Sequence, residues 1–136
     1  MDFDRLKAAM NDSIRLSQLG QNKEALKLLD DAIAEAIQEH RSSWILTLTH
    51  HAAILCSYKG DLDLVQHYYQ HSLTYNPENP RALYGLARVS LQRGETQTAK
   101  QFAKRSYEAI LRSDDEIVKA GLLDLIVKQW PEMRTP

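Results

Sequence analysis

Three glycines set the plan of this chain. Gly20, Gly60 and Gly94 lie in the polar stretches Leu19-Gly20-Gln21-Asn22, Lys59-Gly60-Asp61 and Arg93-Gly94-Glu95. Each ends one helical pattern, and between them the apolar residues recur at about the helical period, as in Leu26, Leu29, Ile33 and Ile37, or Leu83, Leu86, Val89 and Leu91. That spacing is the face of an amphipathic helix, and a glycine just beyond it is a common left-handed stop. Asn22, Asp61 and Thr96 then stand where the next helix needs an N-cap. A different break, Asn76-Pro77-Glu78-Asn79-Pro80, offers Asn79 as a cap with Pro80 in the first helical position. Ser113, with Glu116 three residues on, has the form of a capping box. The pattern predicts seven helices over 4–19, 22–39, 43–59, 62–75, 80–93, 96–111 and 114–130. The connections are short, so neighbouring helices run antiparallel. The fold class is all-α.

Composition removes the alternatives. Gly and Pro together number nine in 136 residues, too few for the turns of a β-sandwich or barrel. Cys56 is the single cysteine, so neither an internal disulfide nor a multi-cysteine zinc site can form. The formal charge of −1 gives no bulk attraction for nucleic acid or an anionic membrane. The acidic start Met1-Asp2-Phe3-Asp4 lacks the basic n-region of a signal peptide. The longest run without Asp, Glu, Lys or Arg, Ser42 to Tyr58, falls short of the ~20 residues of a membrane span. A cytoplasmic setting is the expectation.

The glycines also define a period. Gly60 and Gly94 are 34 residues apart, and Gly20 and Gly60 are 40 apart. Ala25, Leu29 and Ala32 follow the first glycine, Val65, Tyr69 and Ser72 the second with Pro77 closing the unit, and Ala99 and Ala103 the third. In this the chain resembles the tetratricopeptide repeat, a 34-residue helix–turn–helix unit with small or apolar residues at set places. The resemblance covers about residues 6–113. It implies a single domain with repeats at about 6–45, 46–79 and 80–113, stacked as a right-handed superhelix and closed by a capping helix, 114–130. The first repeat holds six extra residues, placed at Glu39-His40-Arg41. Asp12 stands where that repeat expects an apolar side chain, and Ala9, Thr49 and Leu83 replace the aromatic usual near the start of each unit.

The last helix is apolar on more than one side. Val118, Leu122, Leu123, Leu125, Ile126, Val127 and Trp130 exceed a single stripe. Either the excess is scattered surface, or Leu123, Val127 and Trp130 form an interface with another chain, a homodimer included.

Catalytic chemistry finds no motif. A glycine-rich phosphate loop, a nucleophile elbow, His-Glu-x-x-His and an acidic calcium loop are all missing from the sequence, so no enzyme activity, cofactor or metal is expected. His67 and His71, at i and i+4, have the spacing of a shared metal site but lack an evident third ligand. His50 and His51 adjoin and point to different sides of one helix. Cys56 falls at a core-facing position with no neighbouring base to activate it.

Binding remains. In tetratricopeptide domains the first helices of successive hairpins line a concave groove that receives a peptide or partner segment. By position the resemblance implies Lys7, Met10, Ile14 and Ser17, then Thr47, His50, Ile54 and Ser57, then Arg81, Tyr84, Arg88 and Leu91. Met10, Ile14 and Ile54 would form an apolar floor. Arg81 and Arg88, with Tyr84 between them, would hold a carboxylate. Met10 and Ile14 read equally well as core, and the arginines as solvated charge. The subfamily that clamps a terminal carboxylate shares only Arg81, since Met10, Ile14, His51 and Gly85 occupy its other places. The reading is a protein-interaction module, scaffold or adaptor, with neither a nucleic-acid nor a membrane partner. Assembly through the last helix and a small secretion-type chaperone are the alternatives.

Overall fold

The computed structural model describes residues 3–134, with the side chains of 3, 4, 117 and 118 outside the description. Seven helices follow one another, α1 (Phe3–Gln18), α2 (Asn22–Gln38), α3 (Ser42–Tyr58), α4 (Leu62–Tyr75), α5 (Pro80–Gln92), α6 (Thr96–Leu111) and α7 (Glu116–Gln129). A 3-10 turn, Pro131–Arg134, comes last. No strand occurs among the described residues. The expected all-α helix–turn–helix architecture is the one observed. The chain divides into two compact units, Met1–Tyr75 and Asn76–Pro136. Their boundary falls at the Pro77–Pro80 break, where proline denies the backbone a continuous helix.

The glycine stops share one geometry. Gly20, Gly60 and Gly94 take φ of 79°, 75° and 77°, a region that side chains with a Cβ avoid. Behind each, the next residue's N–H reaches back five positions: Gln21 to the Leu16 carbonyl (2.8 Å), Asp61 to Cys56 (3.1 Å) and Glu95 to Ser90 (2.9 Å). This double-back satisfies carbonyls that a helix end leaves orphaned. The α2–α3 connection uses the same turn without a glycine. There His40 takes φ of 54°, and the Arg41 N–H donates to the Ala36 carbonyl at 2.9 Å.

This turn sets the start of the next helix and corrects two of the expected caps. Each following helix begins two residues after its glycine, so Asn22 and Thr96 are first helical residues rather than caps. Gln21 and Glu95 hold the cap positions and make no side-chain capping bond. Asp61 does cap, accepting from the Leu64 N–H at 3.2 Å. Asn79 caps α5 by accepting from the Arg81 N–H, with Pro80 at the first turn. The Ser113–Glu116 box does not form, because Ser113 Oγ accepts from the Asp115 N–H at 3.1 Å and α7 opens only at Glu116.

Counting from the glycines locates the close helix crossings. Seven residues before them stand Ser13, Ala53 and Ala87, five after stand Ala25, Val65 and Ala99, and twelve after stand Ala32, Ser72 and Ser106. All nine are buried. Small side chains let the two helices of a hairpin approach, and larger ones fill between them. In the first unit those are Leu6, Leu29, Ile45 and Leu48, each at most 1–2% exposed. Three of the buried hydroxyls are paired with backbone. Ser13 donates to the Met10 carbonyl, Thr49 to that of Ile45 and Ser106 to that of Pro80.

Within the first unit the pairs α1–α2 and α3–α4 pack as hairpins, and α1 also touches α3. Tyr68 on α4 bonds Asp30 on α2, so first helices neighbour first helices and second helices neighbour second. Asp12 is not buried: its carboxylate is half exposed and pairs with Arg15 at 2.8 Å.

In the second unit α7 closes the α5–α6 hairpin. Leu122, Ile126 and Trp130 join Ala87, Ala99, Ala103 and Ile110 in its core, with Leu123 half-buried against them. Trp130, read from sequence as an interface candidate, is 6% exposed inside its own unit and offers no outer surface. It follows Ile126 by one helical turn, and Pro131 turns the chain back beside it. Val127 is half-buried. Among the described side chains of α7, Leu125 is the large apolar one that is exposed. Val118, part of the expected apolar surface, lies outside the described side chains.

Candidate functional site

The first unit carries a depression between α1 and α3. α3 spans Ser42–Tyr58 without a single charge. Its core stripe is Ile45, Leu48, Thr49, Ala52 and Cys56, all buried. A second stripe, His51, Ile54, Leu55 and Tyr58 at helical spacing, faces a matching one on α1, namely Ser13, Ile14, Ser17 and Gln18. With Leu29 from α2 at its base, these residues enclose a cavity of about 280 Å³. None of them is charged. Three are apolar and open to solvent: Ile14 is 40% exposed, Ile54 36% and Tyr58 85%. Polar edges come from Ser17, whose hydroxyl meets the Asn22 side chain at 3.2 Å, and from His51.

Size decides what such a space can hold. Pockets for cofactors and drug-sized ligands run from ~300 Å³ upward and enclose most of their ligand. This one is smaller and open. It suits one or two apolar side chains of a larger partner.

The residues singled out from sequence divide between the two units. Ile14 and Ile54 come together here. Met10 is half-buried and does not line the cavity, and His50 turns toward α4, its Nδ1 lying 3.3 Å from the Tyr69 hydroxyl. In the second unit Arg81, Tyr84 and Arg88 occupy one face of α5 at i, i+3 and i+7. Arg88 lies 5.9 Å over the Tyr84 ring and donates to its hydroxyl at 3.4 Å. His51 and Tyr58 were not expected in a site. Their spacing of −3 and +4 from Ile54 places them on its stripe, which was the available signal.

Other candidates carry less. A wider depression of about 430 Å³ between α1 and α2 is crossed by the Arg5–Glu35 ion pair at 3.0 Å and floored by alanines, so it lacks an anchoring surface. His67 and His71 lie 6.2 Å apart between ring centroids on α4. Among the described residues they belong to no group of three or more His, Cys, Asp or Glu. Cys56 is 1% exposed, and burial first, with the Asp61 charge second, pushes its thiol up to about 11. At neutral pH it is a protonated core side chain. No described helix is long and apolar enough to cross a membrane.

Comparison with known proteins agrees with the geometry. Residues 58–109 match the family model described as tetratricopeptide repeat. The chain is also similar to the cellulose synthase operon protein C of Pseudomonas fluorescens (strain SBW25), with 28% identity over 119 residues. That alignment covers 86% of this chain and 9% of the relative, so the chain spans about a tenth of the relative's length.

Proposed function

This chain is a tetratricopeptide-repeat protein, and from that premise we propose that it is a non-enzymatic module that docks a segment of another protein. Repeats of this family generally mediate protein–protein interaction. The observation that carries the reading is the uncharged cavity between α1 and α3, walled by the exposed apolar side chains Ile14, Ile54 and Tyr58. Apolar side chains held open by a rigid helix pair form a ready anchor site. Binding there removes their surface from water at roughly 25 cal/mol per Å², and the helices need no reordering.

A peptide-display selection against the whole chain tests this. Enriched sequences should share an apolar or aromatic anchor, and Ile54→Glu should weaken their binding at least tenfold while leaving the helical content unchanged. Full binding by Ile54→Glu would move the site elsewhere.

A further inference from the structure

We propose that His67 and His71 on α4 form a two-nitrogen chelate for one divalent transition-metal ion of the copper, nickel or zinc class. The inference stands apart from the docking reading: α4 is the second helix of its hairpin, and neither histidine lines the α1–α3 cavity.

Position on the helix is the first argument. Side chains four apart on an α-helix share one face, with Cβ atoms about 5–6 Å apart. His67 and His71 keep that spacing, and their ring centroids lie 6.2 Å apart at an interplanar angle of 39°. With metal–nitrogen bonds of about 2.0–2.1 Å, two rings on one ion have centroids about 4.5–6.5 Å apart, depending on the angle at the metal. The observed separation falls in that range. A small turn of either ring toward the other closes the angle toward tetrahedral. His67 is exposed and His71 half-buried, so an ion reaches the pair from solvent.

Rigidity is the second argument. Val65, Tyr68, Tyr69 and Ser72 are the buried stripe of α4, and their packing fixes the backbone that carries the pair. Each imidazole also leans on a tyrosine. His67 meets the Tyr68 ring edge-on at 5.3 Å, and His71 meets the Tyr75 ring at 5.5 Å. Tyr68 is itself held by its bond to Asp30. Rings restricted beforehand lose less freedom when they bind.

Charge and donor type choose the ligand. α4 contains neither Lys nor Arg, and its one charged residue, Asp63, precedes His67 by about one turn. The helix therefore brings no cation of its own against the ion, and its carboxylate attracts one. Imidazole nitrogen suits copper, nickel and zinc, whereas magnesium and calcium require several oxygen donors. Among the described residues the pair belongs to no group of three or more His, Cys, Asp or Glu. The protein thus supplies two donors and water fills the other positions, which stay exchangeable.

The test uses the whole chain without a polyhistidine tag, titrated separately with Cu2+, Ni2+, Zn2+ and Mg2+ by calorimetry at neutral pH. Copper should bind at one ion per chain and more tightly than nickel or zinc, and magnesium should not bind. His67→Gln and His71→Gln should each weaken copper and nickel binding by about tenfold or more, because each removes one of two donors. His40→Gln, on the α2–α3 turn, should leave binding unchanged. Copper should also raise the thermal midpoint of the parent protein and not that of the double variant. His71→Gln combined with Thr74→His keeps the number of histidines but sets the pair about 10.5 Å apart along the helix, so binding should not return. Circular dichroism of the ion-free variants should match the parent, since His67 and Thr74 are exposed and His71 lies outside the buried stripe. Three results overturn the inference: no saturable uptake of copper, nickel or zinc, uptake that survives loss of both histidines, or equal uptake by the off-register variant, which would reduce the site to single histidines. Magnesium binding as tight as copper overturns it too, as a carboxylate surface.

Discussion

The hydroxyl of Tyr68 donates to the Asp30 carboxylate at 2.6 Å, linking the second helix of one hairpin to the second helix of the next. The Tyr68 ring is 4% exposed, while Asp30 stands at the surface. The bond therefore has a buried donor and a solvated, charged acceptor. Tyr68→Phe keeps the ring packing and deletes only the hydroxyl. Because hydrogen bonds to charged groups are worth about 1.5–3 kcal/mol and Asp30 regains water, a loss of about 1–2 kcal/mol is expected. Urea unfolding of the two proteins measures it. An unchanged midpoint would mean the bond contributes nothing to the pairing of α2 with α4.

Stability should decline in alkali, and two residues set the window. Burial, followed by the bond to Asp30, raises the Tyr68 phenol well above its ordinary value near 10. Burial likewise raises the Cys56 thiol from 9.0 to about 11. Both folded-state values lie above the unfolded ones, so the unfolded chain gives up these protons first as pH rises. The contribution is whole below pH 9, shrinks from pH 9 to 11 as the unfolded thiol ionises, and shrinks further above pH 10 through the phenol. For Cys56 alone the two-unit difference amounts to roughly 2–3 kcal/mol by pH 11. Denaturation at pH 7, 9 and 10.5 should show this fall. Cys56→Ala should start lower and flatten the part between pH 9 and 10.5.

His40 occupies the left-handed stop that glycine fills at the other three turns. Its Cβ strains a conformation that glycine adopts freely, at a cost of ~1 kcal/mol. His40→Gly should therefore raise stability by about 0.5–1 kcal/mol. Gly60→Ala should lower it by about 1 kcal/mol, for backbone reasons alone, since a Cβ there meets open space. Thermal melts of the two variants should move in opposite directions.

That turn also shows what could be read in advance. The glycine spacing carried the helix boundaries and the small crossing residues, because a left-handed stop and a close helix approach each demand a narrow set of side chains. His40 escaped notice because a histidine in the same conformation leaves no compositional mark. The caps at Asn22 and Thr96 were misplaced by one residue, since the turn's backbone bonds set where the next helix starts and its side chains merely follow. In the candidate site Ile14 and Ile54 were legible from repeat position. Met10 and His50 were not separable from His51 and Tyr58, because choosing among adjacent stripes of an uncharged helix depends on its rotation against α1. α3 has no charged face to reveal that rotation.

α7 is the element where sequence left the most open, and two substitutions separate its faces. Trp130 fills the core of the second unit beside Ile126 and Leu122. Removing so large a buried ring leaves a void its neighbours cannot close, so Trp130→Ala should cost about 3–5 kcal/mol. Leu125 is 48% exposed, and Leu125→Gln should stay within about 0.5 kcal/mol of the parent. Urea midpoints measure both, and mass in dilute solution adds the decisive contrast. If α7 pairs with a second copy of the chain, Leu125→Gln should convert a dimer to a monomer without lowering the monomer's own stability. A protein that is monomeric before the substitution would confine α7 to closing the α5–α6 hairpin.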